Sequence, residues 1–280
     1  MTVGEREASD LAGYLAAAEE AARRAGALIK DSLGRVHDYK TKSSDTDLVT
    51  EVDRTSERMI RDYLHERYPD VPMLGEEGTG HSHDVDSDPG PLWVVDPLDG
   101  TTNFVHTLPL SCVCVALTAY GRPQVGVIYD PYRDEMFTAI KGQGAWVNGR
   151  PIRVAPQRTV AESLLATGLP YDVRTAGLDS LKYFARVAPY CRDIRAIGSA
   201  GLELAYVASG RLGGYWEFHL APWDMAAGWL LVEEAGGRVT TLDGRPFRLT
   251  GPTILATSGA IHEELVQMLM NGEAREEEKT

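Results

Sequence analysis

Cysteine is scarce in this chain of 280 residues: there are three, an odd number that cannot all pair. Cys112 and Cys114 fall in the apolar run Ser111–Leu117, so they read as buried strand thiols and not as a disulfide or zinc site. All three cysteines are expected to be reduced. Positive charge is short as well: 28 Lys and Arg face 41 Asp and Glu, for a formal charge of −13. Such a surface repels nucleic-acid phosphates and anionic membranes, which excludes both as expected partners. No apolar stretch is long enough to span a bilayer, and the opening MTVGEREASD lacks the order of a signal peptide. A soluble, cytoplasmic protein is the expectation. Neither Gly-x-x-x-x-Gly-Lys-Ser/Thr nor Gly-x-Ser-x-Gly occurs, which removes the P-loop NTPases and the serine hydrolases built on a nucleophile elbow. Repeats and low-complexity tracts are missing too, so a continuous core is expected.

The apolar periodicity predicts helices over 10–33, ended by Gly34, and over 53–67, stopped by Tyr68-Pro69. Short strands follow over 72–76 and 92–96, separated by a polar loop over 77–91 whose His81 and His83 are either exposed decoration or metal ligands. Segments 110–120, 124–129 and 135–140 read as an antiparallel meander, with turns at 121–123 and 130–131. After Pro156 strands (163–167, 192–196, 214–218, 253–257) alternate with helices (178–188, 199–209, 223–235, 259–270). The expected organisation is an N-terminal α+β half over 1–155, a C-terminal α/β half over 156–272 and a charged tail over 273–280, the two halves sharing a cleft.

Residues 93–104, Trp-Val-Val-Asp-Pro-Leu-Asp-Gly-Thr-Thr-Asn-Phe, place two carboxylates at the end of an apolar run. Pro97 biases Asp96 toward extended backbone, so Asp96 should stand at the carboxyl end of a strand, with Asp99 returning beside it through a tight turn. Gly100 permits close backbone approach, and Thr101-Thr102-Asn103 could open a helix whose free N–H groups attract an anion. Asp-Gly between apolar runs is equally a hairpin signal. Other acids also sit where elements end: Gly75-Glu76-Glu77, Glu217, Asp224 at a helix start, and Asp47 and Asp53 around Thr50. Each has a structural reading, as a solvated turn, a helix cap or the Thr50–Asp53 capping box. Together they form an oxygen-only set with no matching Cys or His cluster, the chemistry of a hard cation such as Mg²⁺.

These segments resemble the Mg²⁺-dependent, lithium-sensitive inositol monophosphatases. The likeness rests on Lys42, Asp47-Leu-Val-Thr-x-x-Asp53, Gly75-Glu-Glu77, the segment 93–104, Gly126-Val-Ile-Tyr-Asp-Pro131, Gly198-Ser-Ala200 and Pro222-Trp-Asp-Met-Ala-Ala-Gly228. It implies a layered α-β-α-β-α sandwich and a homodimer. It implies one Mg²⁺ on Glu76, Asp96 and the Leu98 carbonyl, a second on Asp96, Asp99 and Asp224, and a weaker third leaning on Glu76. Within this likeness Thr101, hydrogen-bonded to Asp53, orients the attacking water. Gly100 and Thr101 hold the phosphate, and Glu217, Asp99 and the Ala200 backbone hold the polyol. The implied reaction is hydrolysis of a small phosphate ester, inositol 1-phosphate first. Fructose 1,6-bisphosphate, histidinol phosphate and 3′-phosphoadenosine 5′-phosphate are the alternatives, with a non-catalytic metal- or phosphate-binding interaction protein as a reading of another class. Two departures stand out: Gly201, where relatives commonly carry a second alanine, and 167–171, which shows no clear substrate serine.

Overall fold

The computed structural model describes residues 3–35, 38–41, 48–80, 85–87, 90–169 and 179–271. Lys42, Asp47, His81, His83, Tyr171 and the tail over 273–280 lie outside them. The chain opens with α1 (Val3–Ser32), β1 (Lys40–Thr41), β2 (Leu48–Val49) and α2 (Glu51–Arg67). Then come β3 (Met73–Gly75), β4 (Leu92–Asp99), α3 (Thr101–Val105), β5 (Cys112–Ala119), β6 (Arg122–Asp130), β7 (Glu135–Ile140), β8 (Gly144–Val147) and β9 (Arg150–Pro151). The remainder is β10 (Leu164–Thr167), α4 (Asp179–Val187), β11 (Asp193–Arg195), α5 (Ala200–Ala208), β12 (Gly214–Phe218), α6 (Pro222–Glu234), β13 (Arg238–Thr240), β14 (Thr253–Thr257) and α7 (His262–Asn271).

Every residue of β4 is buried, because both faces of its sheet are covered. Trp93 and Val95 of β4 pack with Val113, Val115 and Leu117 of β5 against α1 and α2. Leu92 and Val94, with Cys112, Cys114 and Ala116, face the opposite way, toward α5 and α6. The strands thus follow the period of two that separates the faces of a sheet. Helix α5 is buried along its whole length, as a helix sandwiched between two sheets must be. On the far side, Trp216 and Leu255 meet Leu265 and Leu269 of α7 and Val187 of α4.

The layers therefore stack as α1–α2, a seven-stranded sheet, α5–α6, a five-stranded sheet, and α4–α7. The first sheet runs in the order β3-β4-β5-β6-β7-β8-β9, antiparallel except for the β3–β4 pair. The second runs β11-β10-β12-β14-β13, its parallel half formed by β10, β11 and β12. Close contact between the central helices uses missing side chains: a Cβ on Gly228 of α6 would lie 2.4 Å from Leu204 of α5.

Most element boundaries match the sequence expectation within a few residues. The differences are local: β4 runs on to Asp99 instead of ending at Asp96, β6 takes in Arg122 and Pro123, and α1 begins before residue 10. No hairpin follows Asp99, because Gly100 adopts φ 93° and leads into α3.

A polar cluster in the outer layer gives this fold a pH dependence. His262 sits fully buried between Thr240 and Thr257, its ring nitrogens 3.0 and 2.9 Å from their hydroxyls. Burial, reinforced by Arg238, lowers its pKa to about 4. An unfolded histidine protonates near 6.5, so between about pH 6.5 and 4 the unfolded state binds the extra proton and folding weakens as pH falls. Denaturant titrations at the two ends of that range should show a smaller acid-induced loss in His262→Gln than in the parent. Equal losses would remove His262 as the cause.

Candidate active site

A β-bulge assembles the acids. Asp96 is opposite Cys114 and Asp99 is opposite Cys112, so three steps along β4 match two along β5. In regular strand geometry residues three apart point to opposite faces; the extra residue turns Asp99 back to the side of Asp96. The expected tight turn is thus a bulge inside the strand. The Asp96 carboxylate accepts from the Leu98 amide at 2.9 Å, which steadies the irregularity. Burial of Trp93, Val94, Val95 and Leu98 contributes roughly 1.5–3 kcal/mol per large side chain and offsets the several kcal/mol of desolvating each neighbouring acid.

Three helices begin around this strand end. Gly100 caps α3 in the left-handed region, where an added Cβ would lie 2.8 Å from the Leu110 carbonyl. Ser199 caps α5, donating to Asp99 Oδ2 at 2.6 Å, while the Gly201 amide donates to the same oxygen at 2.7 Å. Asp224 lies in the first turn of α6, where it accepts from the Ala221 amide at 2.7 Å. The capping reading of Asp224 is correct without excluding a place in the site. The same holds for Asp53: one oxygen closes the capping box with the Thr50 amide at 2.8 Å, and the other accepts from Thr101 Oγ1 at 2.8 Å.

Between these elements lies a cleft of about 500 Å³, whose walls include Glu76, Asp96, Asp99, Thr101, Glu217 and Asp224. Leu98, Gly100 and Ala200 line it too, so every expected metal ligand and substrate contact lies along this cleft, and Asp53, expected to act through Thr101, sits behind that residue. Burial raises the pKa of Asp96 well above the usual carboxylate range, and repulsion from Glu76, Asp99 and Asp224 raises it further. Asp224 is raised likewise, by burial first and then by Glu76 and Asp99. Burial lifts Asp99 less, because Ser199 and Gly201 donate to it. Glu217 rises to about 7 through burial, opposed by the Tyr215 hydroxyl that donates to it. Mutually repelling oxygen donors of this kind fit a divalent hard cation, which would relieve the repulsion that burial creates.

Several supporting residues escaped the sequence reading. Glu57 accepts from the Glu77 amide at 2.6 Å and from the Thr79 hydroxyl at 2.6 Å, fixing the turn that carries Glu76. Its signal was present, since Asp53, Ser56, Glu57, Ile60 and Leu64 form the buried stripe of α2. Asn103 bridges the Leu110 and Ile197 carbonyls at 2.8 Å each, tying α3 to the loop before α5.

The cysteines are free, and Cys112 and Cys114 are buried, as expected; beside them stands a carboxylate. Cys112, Cys114 and Asp99 bring one ligand atom each within 4.8 Å of one another. This packing also accounts for Gly201: a Cβ there would stand 2.5 Å from Cys114 Sγ and 2.9 Å from Cys112 Sγ. Gly201→Ala is therefore expected to lower the thermal midpoint, and adding Cys114→Ala to recover part of the loss. Thermal melts of the single and double variants check this; purely additive losses would mean that the thiol contact is not the cause.

The profile of the inositol monophosphatase family matches residues 10–273. An inositol-1-monophosphatase of Synechocystis is 45% identical over 263 residues, covering 93% of this chain and 90% of the relative. The Nus factor SuhB of Escherichia coli is 40% identical over 253 residues, covering 90% and 94%. Among solved structures, inositol monophosphatase from Anabaena superposes with a TM-score of 0.82 at 40% identity, over 94% of this chain and 96% of that one. The suhB protein of Bartonella henselae gives 0.85 at 36% identity, over 93% and 100%. With its five layers, acid-lined cleft and near full-length matches, this chain belongs to the inositol monophosphatase family and is a phosphoric monoester hydrolase.

Proposed function

We propose that the cleft hydrolyses a small polyol phosphomonoester, inositol 1-phosphate first, with two to three Mg²⁺ ions. The observation that carries this is the convergence of Asp96, Asp99, Asp224 and Glu76 in one cleft, with Asp96 and Asp224 raised by burial and mutual repulsion. Glu76, Asp96 and the Leu98 carbonyl would hold one ion; Asp96, Asp99 and Asp224 would hold another. When bound, the ions supply Lewis-acid chemistry, acidifying water and neutralising the charge of the leaving oxygen.

The chain's own groups do the rest. Thr101 Oγ1 donates to Asp53 at 2.8 Å and stands 3.1 Å from the Leu98 carbonyl; with its proton engaged between these acceptors, its lone pairs are left to accept from a water in the cleft that Thr101 lines. Asp53 is a positioning residue, held on its other side by Thr50. The phosphate would sit at the Gly100 and Thr101 amides, where unpaired N–H groups favour an anion. Asp99, the Ala200 backbone and Glu217 would receive the polyol hydroxyls. Gly168 leaves the space that the Glu217 carboxylate fills. No covalent phosphoenzyme is required, since in-line transfer to water rests on positioning and charge.

Glu217→Gln separates binding from chemistry. KM for inositol 1-phosphate should rise about 10-fold or more, as expected for a lost charged hydrogen bond, with kcat little changed. A kcat that falls with KM untouched would take Glu217 out of substrate binding. Faster turnover of fructose 1,6-bisphosphate by the parent enzyme would keep the mechanism and change the substrate. The relatives named Nus factor SuhB keep an interaction role in view; a chain that binds Mg²⁺ yet turns over no phosphomonoester would favour it.

A further inference from the structure

We propose that Cys112, Cys114 and Asp99 form a separate site for a thiophilic divalent cation such as Zn²⁺ or Cd²⁺, whose binding withdraws Asp99 from the catalytic cleft and halts turnover. The withdrawal rests on the role given above to Asp99; the site itself does not.

The spacing is that of a tetrahedral ion. Bonds of about 2.3 Å to sulfur and 2.0 Å to oxygen at tetrahedral angles separate two sulfurs by about 3.8 Å and a sulfur from an oxygen by about 3.5 Å. Cys112 Sγ and Cys114 Sγ stand 3.8 Å apart, and Cys112 Sγ lies 3.4 Å from Asp99 Oδ2. Cys114 Sγ and the Asp99 carboxylate lie within 4.8 Å of each other, and the register brings the three together, with Cys112 opposite Asp99 and Cys114 opposite Asp96. Ser199 Oγ, 3.6 Å from Cys112 Sγ, donates to Asp99 Oδ2 at 2.6 Å and so holds that carboxylate against the thiols, while water completes the coordination.

The sulfurs are buried, but Asp99 and Ser199 both line the cleft, so an ion reaches the thiols by way of the carboxylate. Gly201 contributes by omission, because its Cβ would occupy the space against both sulfurs. Two thiolates and a carboxylate around a divalent ion leave one net negative charge at the N-terminal end of α5, where the Gly201 amide already donates. Each metal–sulfur bond replaces an S–H bond whose proton passes to water, and no oxidation state changes. Mg²⁺ does not take the sulfurs, since hard cations prefer oxygen donors, and it meets the thiophilic ion only at Asp99. The plain alternative is a pair of core thiols with no affinity for metal.

The test uses the full chain with Cys191→Ser, so that no other thiol reports. Cd²⁺ is titrated while the ultraviolet absorption of cadmium–thiolate bonds and the Mg²⁺-dependent release of phosphate are both followed. The expected result is a band that saturates at one Cd²⁺ per chain, with turnover falling in step. In C112S/C114S the band should vanish, and half-inhibition of that variant's own activity should need at least about 10-fold more Cd²⁺. Should that variant not fold, Cys114→Ala replaces it, with a weakened band and the same shift. No thiolate band in the parent overturns the site. Equal inhibition of parent and variant overturns it too, placing Cd²⁺ among the oxygen ligands. A saturating band with turnover intact overturns the inhibition and counts against Asp99 as a ligand in the cleft.

Discussion

Asp96→Asn should lower kcat by at least about 10³-fold, close to 4 kcal/mol of transition-state stabilisation. Asp96 is the carboxylate shared by both proposed ions, and the one whose charge is opposed by Glu76, Asp99 and Asp224 together. Removing that charge has two consequences of opposite sign. Metal binding loses its common ligand, so activity collapses. Repulsion in the metal-free cleft falls, so the variant should melt at or above the parent's temperature without Mg²⁺ while losing the stabilisation that Mg²⁺ confers on the parent. Phosphate release and melts with and without Mg²⁺ read both effects. Retention of half the activity would end the assignment of Asp96, whereas a lower melting temperature with Mg²⁺ stabilisation intact would make Asp96 a structural residue.

Thr101→Val should cost about 10²-fold or more in kcat with KM nearly unchanged, within the range of a lost positioned proton acceptor. The Thr101 hydroxyl is fixed by Asp53 Oδ1 at 2.8 Å, and Asp53 Oδ2 is engaged by Thr50, so the pair acts as one device. Asp53→Asn should therefore produce a comparable loss, and the double variant little more than either single change. Thr101→Ser, which keeps the hydroxyl, should recover most of the rate. Losses that simply multiply in the double variant would show that the two residues act independently.

The sequence made the apolar strands and the acids legible because burial on both faces leaves a near-continuous hydrophobic run, as in Leu92–Val95 and Cys112–Leu117. Capping residues were equally readable: Thr50 and Asp53 occupy the positions their spacing implied. The bulge between Asp96 and Asp99 was not, because it depends on which residue of β5 opposes which residue of β4. The Cys112–Cys114–Asp99 cluster was hidden for the same reason. Strands β8 and β13 escaped notice because they have four and three residues beside glycines, too few for a period to show. The β1–β2 pair, two residues each, is shorter still. Ser199 donates to the Asp99 carboxylate, and Asn103 and Glu57 act through backbone groups; sequence spacing alone does not reveal such partners.

Phosphate release from inositol 1-phosphate, fructose 1,6-bisphosphate, histidinol phosphate and 3′-phosphoadenosine 5′-phosphate, measured in parallel with Mg²⁺, with EDTA, and with Mg²⁺ plus lithium, is the most direct test. Turnover that requires Mg²⁺, disappears in EDTA, is inhibited by lithium and is highest on inositol 1-phosphate is the expected result. Turnover undiminished by EDTA, or none on any of the four with Mg²⁺ present, would contradict a metal-dependent phosphatase built on Glu76, Asp96, Asp99 and Asp224.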